Sequence, residues 1–154
     1  MNAPRHLHSQ AIVPFRQVVA GATLLVFALL SGASMAAREP SPAAAVLDRH
    51  LAAFAAHDLD AIMADYDDQS VFITPTGVLN GAAEIRPMFE ALVEEFSAPQ
   101  ATVTIHQRHH SGPVAYITWS AETPANRYSL ATDTLYVKGD HIRYQTFAAE
   151  IVAK

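Results

Sequence analysis

The side chains able to move protons in this chain are imidazoles and carboxylates, since it has eight histidines and fifteen acidic residues but no cysteine. His50 falls on an apolar stripe with Leu47, Leu51 and Phe54 at the three-and-four spacing of one helix face, while Asp48 and Arg49 fall off that stripe. An imidazole so placed is either a core residue with satisfied nitrogens or a hydrogen-bond donor and proton shuttle. Asp133 lies in a period-two run in which Ala131, Asp133, Leu135 and Val137 share one face. A carboxyl among such neighbours loses hydration, which raises its pKa and favours the neutral, donating form. The alternative is an aspartate on a solvated strand edge.

His106, His109 and His110 raise the question of a metal. Alternation puts His106, Arg108 and His110 on one face and His109 on the other, with no nearby carboxylate to complete a usual site. A solvated strand end is therefore expected, and no metal. No glycine-rich phosphate loop, cysteine nucleophile or Ser/His/Asp motif is present, and no cofactor is implied.

These residues need elements to position them. Residues 1–37 have the three-part pattern of an export signal: Arg5 and Arg16 in a basic lead, an apolar run from Val18 to Leu30, then small residues to Ala37. The run is about 13 residues, short of the ~20 a membrane-spanning helix needs, so cleavage is expected rather than anchoring. The expected site is just before Ala37 or Arg38, and the product is periplasmic or secreted. Removing this segment takes two of the ten basic residues and none of the acidic ones. Eight basic residues then face fifteen acidic, a net charge of −7 over 117 residues. Nucleic acid is not an expected partner. Without disulfides, apolar burial must hold the remaining single domain together.

Ser41 and Pro42 read as the cap and first position of a helix carrying His50. Asp58 caps a second helix with a stripe of Leu59, Ile62, Met63 and Tyr66, closed by Asp67 and Asp68. Ser70 to Thr74 is β-rich, and a third helix begins at Asn80-Gly81 with the stripe Ile85, Met88, Phe89, Leu92, Val93 and Phe96. Beyond Pro99 the period becomes two, over Thr102–His106, Tyr116–Ala121, Tyr128–Lys138 and His141–Val152. Helices followed by a meander of strands give an α+β domain, three helices packed on one face of a curved antiparallel sheet.

The run from Asp48 to Pro75, with Asp58-Leu59-Asp60, Tyr66, Asp67-Asp68 and Val71-Phe72-Ile73-Thr74-Pro75, resembles the nuclear transport factor 2-like superfamily, which contains ketosteroid isomerases and SnoaL-like polyketide cyclases. Gly77, Asn80-Gly81, Ile85-Arg86, Asp133-Thr134-Leu135-Tyr136 and Ile142 to Phe147 extend the resemblance across residues 38–154. It implies a cone-shaped half-barrel with a pocket at its open end, in a homodimer joined through the sheets. In the isomerases a carboxylate base works with a tyrosine and a protonated aspartic acid that stabilise an enolate. The resemblance places Asp133 at the aspartic acid, His50 at the tyrosine and Thr74 at the base. A threonine hydroxyl does not accept a proton near neutral pH, so the usual steroid isomerisation is not expected.

If His50 and Asp133 face each other across the pocket, they form a dyad able to abstract a proton, with Tyr66, Thr74, Phe89, Trp119, Tyr144 and Gln145 as lining. The expected function is an exported pocket protein for a small apolar or carbonyl-bearing molecule, with isomerase, cyclase or dehydratase chemistry. The rivals are a non-catalytic ligand- or protein-binding domain of the same fold and a partner-binding module using the outer face of the sheet. Export would separate the domain from coenzyme A-linked substrates and nicotinamide cofactors.

Overall fold

The computed structural model describes residues 41–154, so the expected export signal at 1–37 lies outside the described residues. Helix α1 (Pro42–Ala55) starts where Ser41 Oγ accepts from the Ala44 N–H at 3.1 Å, with Pro42 in the first turn, where its missing N–H costs nothing. It buries Ala43, Val46, Leu47, His50 and Ala53. His57 turns the chain in a left-handed conformation (φ 55), and Asp58 caps helix α2 (Leu59–Met63) by accepting from Ala61 N–H at 3.0 Å.

The sequence pattern carries α2 through Tyr66 to Asp67, but the helix stops at Met63. Tighter bonds then close the turn, from Asp65 N–H to Ile62 O at 3.2 Å and from Tyr66 N–H to Met63 O at 3.1 Å. Strands β1 (Val71–Thr74) and β2 (Gly77–Asn80) form a hairpin that leads into helix α3 (Gly81–Phe96). Glu84 accepts from the Asn80 N–H at 2.7 Å at the start of α3. Gly81 has φ 75, and a Cβ there would stand 3.2 Å from Asp68 O, so this entry requires glycine.

Four long strands follow: β3 (Thr102–Ser111), β4 (Val114–Glu122), β5 (Asn126–Lys138) and β6 (His141–Ala153). The six-stranded sheet has the order β2-β1-β6-β5-β4-β3. It is mostly antiparallel; the exception is the parallel pairing of β1 with β6, since β6 returns beside β1 only after the α3 crossover and the meander. The sheet stays unclosed. Register shifts occur at Ile105/Gln107, Trp119/Ala121 and Tyr128/Leu130, at neighbouring levels of adjacent strands. Bulges aligned in this way bend a sheet, giving it a concave face for the helices.

The first bulge also overturns the expected grouping of the histidines. Arg108 and His110, opposite Ile117 and Ala115, reach α1 through the Arg108–Asp48 ion pair and a 3.1 Å bond between His110 Nδ1 and Ser41 Oγ. His106 lies at the bulge and bonds Ser120 Oγ at 2.8 Å, while His109 stacks on Tyr116. One extra residue reverses the alternation that had joined His106 to Arg108 and His110. The core between helices and sheet centres on Val46, Leu47, Ile62, Ile85, Leu135 and Ile142. Among the described residues no helix is long and apolar enough to cross a membrane.

Candidate functional site

Helices α1 and α3 stand off the sheet and leave a cavity of about 810 Å³. That is within the ~300–1,000 Å³ of small-molecule sites. Leu47, Leu51 and Phe54 of α1, Met88, Leu92 and Phe96 of α3, and Ile117, Leu135 and Phe147 of the sheet form apolar walls. The β1–β2 hairpin from Thr74 to Val78 lines it too, with Val103 and Ile151, and those two and Val78 are exposed apolar side chains. Among its polar lining groups are His50, Asp133 and Gln145 with the indole of Trp119.

Asp133 is buried in β5, opposite Ile117 on β4 and Phe147 on β6. Trp119 Nε1–H donates to its Oδ2 at 2.7 Å and Gln145 Nε2–H to its Oδ1 at 2.8 Å. Tyr66 in turn donates its hydroxyl to Gln145 Oε1, which fixes the orientation of the amide. Burial pushes the Asp133 carboxyl above the usual aspartate range, against the two N–H donors and the charge of His50. Burial, and after it the charges of Asp133 and Asp65, hold the Tyr66 phenol well above its ordinary value, so it remains a donor.

His50 is also buried, with its ring edge-on to Phe89 and Tyr66 at centroid separations of 5.6 and 5.8 Å. Its Nδ1 lies 2.9 Å from Asp65 Oδ2. Thus Asp65, rather than Asp133, is the carboxylate bonded to the imidazole, and Asp133 belongs to a separate chain through Gln145 to Tyr66. Nε2 of His50 has no hydrogen-bond partner among the described residues.

The sequence-derived lining residues divide. Thr74, Phe89, Trp119 and Gln145 line the cavity. Tyr66 is buried behind Gln145 without lining it. Tyr144 is a correction: it is 49% exposed and packs on Tyr136, ring centroids 6.1 Å apart, on the outer face. Successive strand residues point to opposite faces, so Gln145 facing inward sends Tyr144 outward. Thr74 donates to Gly77 O and accepts from the Thr76 N–H, closing the hairpin turn.

Sequence reasoning missed Asp65. It stands three residues after Ile62 and beside Tyr66, a spacing that could have marked it as inward-facing, and the tight turn after α2 does bring it inward. Its place next to Asp67 and Asp68 disguised it as part of a solvated acidic run.

The family profile described as the SnoaL-like domain matches residues 47–144. A comparison with curated proteins finds no match. Among solved structures, the chain is similar to a candidate polyketide cyclase from Sinorhizobium meliloti, with 14% identity over 68% of this chain and 94% of the other and a TM-score of 0.58. A candidate ketosteroid isomerase from Kribbella flavida shows 12% identity over 71% and 78%, TM-score 0.59. TerC, co-crystallized with polyporic acid, shows 10% identity over 71% and 92%, TM-score 0.60. At these identities the likeness is one of fold.

Proposed function

We propose, for a chain that belongs to the SnoaL-like domain family, an exported pocket protein that binds a small apolar, carbonyl-bearing molecule and acts on it by acid–base chemistry. The observation that carries this reading is the convergence of His50 and Asp133 on one largely apolar cavity of about 810 Å³. An apolar cavity strengthens a hydrogen bond to a developing enolate, and a carboxyl whose pKa burial raises is the better able to donate one.

In this reading His50 takes the place of the carboxylate base that Thr74 does not supply. Its imidazole removes a proton from carbon next to the ligand carbonyl. The C–H electron pair becomes the enolate C=C bond, and the carbonyl oxygen receives a hydrogen bond from Asp133. Return of the proton from His50 to another carbon is isomerisation; its delivery to a departing hydroxyl is dehydration. No cofactor enters this scheme. The signal at residues 1–37 delivers the domain outside the cytoplasm, where small, freely diffusing ligands reach it. Ile73, Val114, Tyr136 and Tyr144, exposed on the outer face of the sheet, support pairing of two copies there.

A second reading, ligand binding without turnover, is favoured by one observation: both Asp133 oxygens already accept a protein N–H. Native mass spectrometry of the protein from its own host tests the pocket. A carried small molecule lost in Leu92→Trp supports binding, and its chemical alteration by the wild type but not by His50→Ala supports turnover. A protein that carries nothing and binds no apolar carbonyl compound contradicts both readings.

A further inference from the structure

We propose that Asp65 is the positioning residue of this site, holding His50 in the tautomer that presents an unprotonated Nε2 to the cavity. The inference rests on the reading of His50 as the base.

Asp65 is 1% exposed and does not line the cavity, whereas His50 does. Its carboxylate is divided between two donors on consecutive residues of α1: Arg49 Nε to Oδ1 at 2.5 Å and His50 Nδ1 to Oδ2 at 2.9 Å. Arg49 also donates to the Asp140 carbonyl in the β5–β6 turn. The Arg49 ion pair partly compensates the buried Asp65 charge and joins helix to turn. A carboxylate is an acceptor only, so the proton of a neutral His50 ring must reside on Nδ1. Nε2 then carries the lone pair, and it is the ring nitrogen without a protein partner among the described residues.

The groups around the imidazole fit this assignment. Asp65 and Tyr66 approach from the turn after α2, Phe89 from α3, and Asp133 of β5 lines the same cavity. The Tyr66 hydroxyl is committed to Gln145. When Nε2 accepts a substrate proton, the substrate C–H bond breaks and its electron pair stays in the enolate. The imidazolium then has N–H on both nitrogens, and its Nδ1–H stays bonded to Asp65 Oδ2 without transferring.

Long-range ¹H–¹⁵N correlation of the imidazoles in histidine-labelled protein tests the proposal, His50 being assigned by the signal lost in His50→Gln. At a pH where the ring is neutral, the wild type should show protonated Nδ1 and unprotonated Nε2, with a preference of at least about tenfold set by a charge-assisted bond. Asp65→Asn should bring the two tautomers toward parity. Arg49→Met, which removes the ion pair and leaves the Asp65–His50 contact, should keep the wild-type tautomer even if it melts lower. A wild-type ring protonated at Nε2, or a folded Asp65→Asn with an unchanged tautomer, overturns the proposal. Should Asp65→Asn not fold, the wild-type and Arg49→Met spectra decide. A site without turnover gives the same spectra, so failure of the catalytic reading is separately visible.

Discussion

Trp119 and Asp133 meet across neighbouring strands, the indole Nε1–H donating to Oδ2 at 2.7 Å with both side chains at the cavity wall. The chain has one tryptophan, so this contact gives the site its own optical probe. It also opposes the effect of burial on Asp133, since an N–H donor favours the ionised carboxyl.

Removing that donor should push Asp133 further up. In Trp119→Phe the Asp133 carboxyl, followed by ¹³C NMR, should titrate at a higher pH than in the wild type. An acid whose folded pKa exceeds its unfolded value binds more protons when folded. Its contribution is therefore fully present below the unfolded aspartate value and is lost as pH rises through the raised folded value. Comparing denaturant midpoints of wild type and Asp133→Asn across that window measures the slope, which should be less negative in the variant.

Glu95 behaves with the opposite sign. Burial pushes its carboxyl up, but bonds from Asn126, Thr123 and Tyr128 outweigh burial and leave it below the usual glutamate range. Its contribution is present above the unfolded glutamate value and lost as pH falls through the depressed one. Glu95→Gln should cost about 1–2 kcal/mol at neutral pH, because the bonds lose their charge assistance. Urea unfolding should also show less acid sensitivity in the variant.

Tyr144 and Gln145 are neighbours with opposite expected effects. Tyr144→Ser should leave ligand binding within about twofold of wild type and weaken the proposed pairing of two copies, measured by sedimentation equilibrium or light scattering, because it alters only the outer face. Gln145→Leu should leave association unchanged and impair binding, because it removes a donor to Asp133 and strands the Tyr66 hydroxyl.

Much of the architecture was legible because apolar periodicity is a strong local signal. Leu47 and His50 of the α1 stripe, Ile85, Phe89 and Phe96 of the α3 stripe, and the shared face of Ala131, Asp133, Leu135 and Val137 are buried, while Leu51, Phe54, Met88 and Leu92 are half-buried where they line the cavity. What local pattern does not encode was lost. The bulge near His106 depends on the register between β3 and β4, and the early end of α2 at Met63 depends on how Asp65 docks on α1. The candidate site was legible in its residues more than in its pairings. His50 and Asp133 do line one cavity, yet their hydrogen-bond partners stand well away in sequence: Asp65, 15 positions from His50, and Trp119 and Gln145, 14 and 12 positions from Asp133.

Ligand capture is the most direct measurement of the central claim, that the cavity between α1, α3 and the sheet binds a small apolar carbonyl compound. Native mass spectrometry of the host-derived protein should show a mass increment of one small molecule per chain, absent from Leu92→Trp, whose indole projects from α3 into the ligand's space while near- and far-ultraviolet circular dichroism confirm the fold. Wild-type protein without any increment and unable to take up apolar carbonyl compounds, or a folded Leu92→Trp that carries the same molecule, would contradict it.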